Sequence, residues 1–262
     1  MRGIVLDATE FQISIAGNAV GFGVAESRKF VDRIRDTETL IYRTAERAKG
    51  LPFKEHANKS VRENLGVFVT VPRAASFAIS FKIGHAREQI QLLDVGFPVE
   101  VVDELLTCLE LFDKSAEGLL KEHINEERYH RNFVGLARKI APDGEDIRLV
   151  GFTSTRAGRE RRVALTKARD EIEPDLTPTE SHSHREQKKQ SVKIRGELRF
   201  ADSITKSDKI QLLDASHRKH TFVVPEGMMN DIVKPLWGAT VEVTGLPYRK
   251  VLKLVTIKEV ND

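Results

Sequence analysis

Hydrophobic and polar residues alternate with different periods along this chain, and each period predicts an element. The alternation in GIVLDA and FQISIAG, residues 3–8 and 11–17, predicts two strands joined by a tight turn. The next segment, residues 25–50, has helical spacing and ends at Gly50, where a glycine suits the end of a helix. The apolar face predicted for this helix consists of Phe30, Ile34, Ile41 and Ala45.

A predicted hairpin over residues 64–84 precedes a helical block. The helical spacing of the block predicts three helices, within residues 98–115, 115–124 and 125–144. Asn125 suits the N-cap of the third helix, and a second hairpin is predicted over residues 146–167. Because strands precede and follow the helices, we expect residues 1–172 to form an α+β domain.

The composition changes sharply at EPDLTPTESHSHREQKKQ, residues 173–190, where Leu176 is the only aliphatic residue. A segment of this kind cannot bury enough apolar surface to order itself, so we predict a flexible linker. His182 and His184 lie in it, and two histidines on a tether are more typical of polar filler than of a metal site.

Residues 191–262 contain the pattern strand-strand-strand-helix-strand-strand. The first strand, VKIRGELRFA, has Gly196 at a bend and is predicted to point Val192, Ile194, Leu198 and Phe200 inward. DKIQLLDA, KHTFVVP, the helical GMMNDIVKPLW, ATVEVTG and VLKLVTIKEV follow in that order. The segment resembles an OB-fold, a small barrel with a helix between its third and fourth strands, and an SH3-like barrel is the alternative. The predicted fold class is therefore an α+β domain followed by a small all-β OB-like barrel with one helix.

The resemblance implies that the helix covers one end of the barrel. The apolar residues predicted to fill that end are Met228, Met229, Ile232, Val233 and Leu236. Trp237, the only tryptophan, follows at once and is predicted to be buried with them, because a buried indole removes a large area from water. The ligand-binding face implied by the resemblance lies elsewhere, on the second and third strands and the loops after the first and fourth.

Charge bears on the class of partner, and cysteine content bears on the cellular compartment. The net charge is +3, and residues 191–262 carry 12 basic against 9 acidic side chains, which permits a polyanionic partner without requiring one. Cys108 is the only cysteine, so no intramolecular disulfide can form and a reducing, cytoplasmic location is expected. Its helical spacing predicts a buried structural thiol. No apolar run approaches the roughly 18 residues of a membrane span.

Nucleic-acid binding requires cations along a groove and aromatic faces for bases. The barrel segment offers such residues in its loops and turns: Lys206, Lys209, Arg218, Lys219, Tyr248, Arg249 and Lys250. A second basic cluster, RAGRERR, contributes Arg156, Arg159 and Arg162 near a predicted hairpin tip. Alternation along its strand predicts Arg161 on the opposite face, and a solvated hairpin also explains this cluster.

The sequence contains no catalytic signature, and we predict no cofactor and no metal from it. His123, Glu127 and His130 have the spacing of ligands on one helix, but the predicted helix start at Asn125 separates them. The favoured hypothesis is a non-enzymatic two-domain adaptor whose barrel binds single-stranded nucleic acid. The alternative is a protein–protein interaction subunit of a bacterial multi-protein complex, such as a defence system, without nucleic-acid contact. Neither hypothesis defines an oligomeric state.

Overall fold

Two units, Met1–Ile172 and Glu173–Asp262, make up the chain in the computed structural model. The structure describes residues 9–18, 20–21, 24–25, 27–69, 77–84, 96–156, 159–172, 191–202, 208–248 and 251–260. The strand predicted over residues 3–8 and the linker predicted over residues 173–190 lie outside the described residues.

Unit 1, residues 1–172, is an α+β domain. Its strands are β1 (Thr9–Ala16), β2 (Val20–Gly21), β3 (Val24–Ala25), β4 (Gly66–Val69), β5 (Phe77–Gly84), β6 (Leu149–Arg156) and β7 (Arg159–Leu165). Its helices are α1 (Ser27–Ala48), α2 (Lys59–Asn64), α3 (Phe97–Asp113), α4 (Glu117–His123) and α5 (Glu127–Ile140). Both predicted hairpins are confirmed, since β4 pairs with β5 and β6 with β7 in antiparallel register.

Five of these strands form one antiparallel sheet in the order β4-β5-β1-β6-β7. Aromatic side chains from three neighbouring strands build the core beneath one face: Phe11, Phe81 and Phe152 are each at most 2% exposed. The Phe11 and Phe152 ring centroids are 5.9 Å apart, a separation typical of favourable aromatic packing. The alternation of apolar and polar residues along these strands therefore identifies the face that packs on the core, as in other antiparallel sheets with one buried face.

The four predicted helices begin and end close to the predicted positions, with one correction, whereas α2 was not predicted. The residue at the N-cap of α5 is Glu126, not Asn125, and its side chain makes no capping hydrogen bond. The break between α4 and α5 is confirmed, so His123 and Glu127 belong to different helices. Cys108 is fully buried on α3, as predicted. Among the described residues, no helix combines the length and apolar character needed to cross a membrane.

A buried ion pair on α1 binds the segment that follows this helix. Arg43 and Glu46 are each 3% exposed, and Arg43 Nη1 lies 2.9 Å from Glu46 Oε2. The guanidinium also donates to the carbonyl oxygens of Lys54 and Glu55, while Glu46 accepts from the backbone N–H of Asn58. Ion pairs this deep persist only where further hydrogen bonds satisfy the remaining atoms, as they do here.

Unit 2 contains a closed five-stranded barrel. Its strands are β8 (Val192–Asp202), β9 (Lys209–Leu213), β10 (Lys219–Val223), β11 (Thr240–Tyr248) and β12 (Val251–Glu259). The barrel closes in the order β10-β12-β11-β8-β9, with β10 and β12 parallel and the other neighbours antiparallel. This mixed barrel is compatible with an OB-like barrel, and the predicted fold class is confirmed.

Gly196 lies at the bend of β8, where the strand changes from one pairing partner to the other. The first half of β8 pairs with β11 and the second half with β9. A Cβ at position 196 would lie 2.5 Å from the backbone oxygen of Leu213, closer than any real Cβ contact. The close approach of two strands therefore requires glycine at this bend.

A short helical segment, Met229–Leu236, joins β10 to β11. It consists of a π-helical turn followed by a 3₁₀ turn, and we call it the barrel helix. The prediction that this segment buries an apolar face is confirmed, because four of its residues and Met228 directly before it are at most 9% exposed: Met228, Met229, Ile232, Val233 and Leu236.

Candidate nucleic-acid interface

The outer face of β8, β9 and β10 carries an exposed phenylalanine. Phe200 is 43% exposed, and Val192 at the start of the same strand is 39% exposed, so the prediction that these two residues point inward is wrong. The register of β8 against β9 shifts between Leu198 and Phe200, which leaves Arg199 as the extra residue of a β-bulge. Since alternate side chains point to opposite faces, one extra residue moves every later side chain to the other face.

Register partners place Phe200 in a row that crosses three strands. Phe200 lies opposite Gln211 of β9, and Gln211 lies opposite Thr221 of β10. The neighbours that alternate with this row, Ile210 and Phe222, are fully buried inside the barrel. The outward row thus presents one aromatic ring beside two polar side chains that can donate and accept hydrogen bonds.

Trp237 is also exposed. It has 57% of its surface accessible, so the prediction of a buried plug is wrong, although Leu236 directly before it is buried. The barrel helix ends at Leu236, and the chain then turns through Gly238, whose φ of +75° favours glycine. Packing into a core, the usual role of a tryptophan, therefore does not explain the only indole in the chain.

Backbone hydrogen bonds hold Trp237 beside the bulge. Gly238 N donates to Leu198 O at 3.0 Å, and Leu198 N donates to Ala239 O at 3.1 Å. Trp237 therefore adjoins Gly238 on one segment, while Phe200 lies two residues from Leu198 on the other. Two exposed aromatic residues that are 37 positions apart in the sequence therefore belong to neighbouring segments of the barrel.

Arg199 is the bulge residue that precedes Phe200 on β8, and it supplies a cation. Its side chain is 63% exposed and forms an ion pair with Glu197 at 2.7 Å. A surface pair of this kind contributes at most about 1 kcal/mol, so a phosphate can compete for the guanidinium. Single-strand binding sites combine such cations with aromatic faces on which bases stack.

Two of the predicted lysines share the outer face. Lys209 and Gln211 are separated by one residue on β9, as are Lys219 and Thr221 on β10, so each pair points to the same side. Lys219 is exposed and Lys209 is half-buried. Both lysines therefore flank the row that contains Phe200.

Arg218 is committed to the turn before β10. Its Nε lies 3.1 Å from Asp214 Oδ2, and its backbone N–H also donates to Asp214. The same carboxylate lies 2.8 Å from His220 Nε2. The hydrogen bond with His220, followed by the one from the Arg218 backbone, lowers the pKa of Asp214 well below its ordinary value. Arg218 itself is 74% exposed, and its contact with nucleic acid stays a prediction of the sequence.

The remaining loop predictions lie at or outside the limits of the described residues. Tyr248 is the last residue of β11 and is half-buried opposite Val251. Lys206, Arg249 and Lys250 lie outside the described residues. These four positions stay predictions of the sequence.

The arginine cluster of unit 1 separates into two faces of the β6–β7 hairpin. Arg156 and Arg159 are exposed register partners, and Arg162 is exposed and paired with Glu160. Arg161 lies on the other face, where it donates to the Asp103 carbonyl oxygen and to Thr107 Oγ1 of α3 at 3.0 Å each. The predicted separation of Arg161 from Arg162 is confirmed, and the exposed arginines remain in a unit different from the barrel.

Phe200, Trp237 and Arg199 are the interface residues that sequence reasoning missed. Period-two alternation gave no sign of the bulge that turns Phe200 outward. A tryptophan next to a glycine at a helix end was the available signal for Trp237, since the chain reverses there.

The chain was compared with protein-family models, curated proteins and solved structures, and no match was found in any of the three.

Because Trp237 is the only tryptophan, the intrinsic fluorescence of the protein reports on its exposure. With 57% of this residue exposed, we expect the emission maximum to move little when the protein unfolds in urea. Acrylamide should quench the native protein almost as efficiently as the unfolded one. A strongly blue-shifted, poorly quenched native emission would show that the indole is buried after all.

Proposed function

We propose that the chain is a non-enzymatic two-domain adaptor whose OB-like barrel binds single-stranded nucleic acid on the outer face of β8, β9 and β10. The observation that carries this proposal is the exposure of two aromatic residues, Phe200 directly after the β8 bulge and Trp237 on the segment that is hydrogen-bonded to Leu198 of β8. Bases stack on such faces whatever their identity, so the expected sequence preference is weak.

The geometry favours single strands over duplexes. In a duplex the faces of the bases are stacked on one another and cannot reach a flat aromatic side chain, whereas an unpaired base can. The row formed by Phe200, Gln211 and Thr221 adds hydrogen-bonding groups next to the stacking face. Binding by stacking and by a few cations is therefore the mechanism that we propose.

Salt dependence tests this mechanism. If Arg199, Lys209 and Lys219 contact phosphates, the logarithm of affinity should fall with the logarithm of salt with a slope of roughly −2 for a single strand. A threefold rise in salt then weakens binding about tenfold. Fluorescence anisotropy of a labelled oligonucleotide of about 15 nucleotides, single-stranded or duplex, measures this slope.

A matched pair of variants locates the contacts. The double variant Lys209→Ala and Lys219→Ala should make the slope shallower by about 1.4. Lys59→Ala combined with Lys114→Ala removes two exposed lysines from unit 1 and should leave the slope unchanged. No binding of the single strand at low salt, or equal binding of the duplex, would contradict the proposal.

A protein partner is the second candidate, and the exposure of Trp237 favours it too. Tryptophan is enriched among the residues that dominate protein–protein binding energy. A protein docked on Phe200 and Trp237 would be retained at high salt, because apolar contacts are not screened. Loss of oligonucleotide binding together with salt-resistant capture of a protein on the same face would select this candidate.

A further inference from the structure

Side chains from three helices of unit 1 meet around Cys108. Glu104 and Cys108 lie one turn apart on α3, His123 ends α4, and Arg47 lies in the last turn of α1. A carboxylate oxygen of Glu104, the Sγ of Cys108 and a ring nitrogen of His123 all lie within 4.8 Å of one another. Sulfur, imidazole and carboxylate are the three protein ligand types that Zn²⁺ uses.

The place between these groups already attracts a positive charge. Arg47 Nη2 donates to Glu104 Oε1 at 2.5 Å and to Cys108 Sγ at 3.4 Å. Its Nη1 donates to the backbone oxygen of His123 at 3.2 Å, and Glu104 Oε2 lies 2.9 Å from His123 Nε2. The oxygen and sulfur atoms that accept from Arg47 therefore converge on a cation, and the hydrogen bond between Glu104 and His123 fixes the orientation of the imidazole beside them.

A metal ion can reach this cluster from solvent. The side chains of His123 and Glu104 are 35% and 27% exposed, whereas Cys108 is fully buried beneath them. Arg47 is followed directly by exposed residues at the end of α1. A rotation of its long side chain toward solvent requires no movement of the backbone.

We propose that Glu104, Cys108 and His123 form a site for a thiophilic divalent cation such as Zn²⁺, which displaces the Arg47 guanidinium into solvent. The charges balance in both states. Without metal, Arg47 neutralises Glu104 while the thiol is uncharged. With metal, the carboxylate and the thiolate together neutralise the divalent ion, the thiol proton passes to water, and a water molecule completes the four ligands.

Burial, the largest cause, raises the pKa of Cys108 to about 12. The thiol is therefore uncharged until a metal ion displaces its proton. Arg47 and Glu104 are the charged groups that face it.

Titration of the full chain with Co²⁺ tests the proposal. A cobalt–thiolate bond produces a near-ultraviolet charge-transfer band, and with one cysteine in the chain the band can arise only from Cys108. We expect the band in the wild type, displaced by Zn²⁺ and absent in Cys108→Ser. His123→Ala and Glu104→Gln should each weaken Co²⁺ binding at least about tenfold, since even an outer-shell partner has effects of that size.

Arg47→Gln distinguishes a cation that displaces the guanidinium from one that binds elsewhere. Removal of the competing charge should tighten Co²⁺ binding by a factor of about ten or more. His56→Ala, at an exposed position of unit 1, is the matched control and should bind like the wild type. Circular dichroism checks that each variant folds. If Arg47→Gln does not fold, His123→Ala and Glu104→Gln still test the proposal.

Two results would overturn the proposal. The first is the absence of a thiolate band in the wild type at saturating Co²⁺. The second is a band whose affinity is unchanged in His123→Ala and Glu104→Gln, which would reduce the site to a lone thiol. Cobalt held by His182 and His184 produces no thiolate band, so such binding cannot be mistaken for the site.

Discussion

Replacing Phe200 and Trp237 together by alanine is expected to weaken binding of a single-stranded oligonucleotide by roughly 30-fold or more. Each base stacked on an aromatic side chain contributes about 1–3 kcal/mol, so two lost faces remove about 2 kcal/mol at least. Both residues are exposed, with 43% and 57% of their surfaces accessible. The same substitutions should therefore change the free energy of unfolding by only about 0.5 kcal/mol each.

Three controls define what the double variant measures. Val192→Ala shortens another exposed apolar residue of β8 and should leave binding unchanged. Trp237→Phe keeps an aromatic face and should retain most of the affinity, whereas Trp237→Leu keeps only apolar area and should not. If the double variant binds within a factor of about three of the wild type, less than 1 kcal/mol is involved and the aromatic residues do not hold the bases.

Arg43→Met is expected to destabilise unit 1 by about 3–5 kcal/mol, because it leaves the Glu46 carboxylate buried without its countercharge. Both side chains are 3% exposed, so water cannot replace the lost guanidinium. The backbone oxygens of Lys54 and Glu55 also lose a donor, and the Phe53 ring loses a cation 4.4 Å from its centroid. Urea unfolding followed by far-ultraviolet circular dichroism measures the loss.

Arg35→Met, at an exposed arginine of the same helix, should cost no more than about 0.5 kcal/mol. Arg43→Met combined with Glu46→Met should recover part of the lost stability, since neither charge of the pair then remains buried. An Arg43→Met variant as stable as Arg35→Met would show that the pair is not buried in solution.

Much of the fold could be predicted from the sequence because its signals are local. The hairpins at β4–β5 and β6–β7, the helix α1 and the buried face of the barrel helix all follow from spacing between residues a few positions apart. The N-cap of α5 was misplaced by one residue, which is the usual accuracy of helix boundaries.

The interface residues depended on information that is not local. Phe200 faces outward because Arg199 forms a bulge, and a bulge is set by the pairing of β8 with β9 rather than by the pattern within β8. Trp237 faces solvent because the last turn of the barrel helix ends one residue before it and hydrogen bonds with Leu198 hold the chain there. Apolar character alone predicted the opposite for both.

The sequence by itself determined the α+β class of unit 1, the element order of the barrel and most of the buried residues, since the burial of apolar surface is encoded in local periodicity. Only the tertiary structure decided which side chains meet. Arg47 reaches Glu104 and Cys108 across 57 and 61 residues, and Trp237 adjoins the bulge of β8 through strand closure. Contacts of that range arise from packing of complete elements, so no window of sequence contains them.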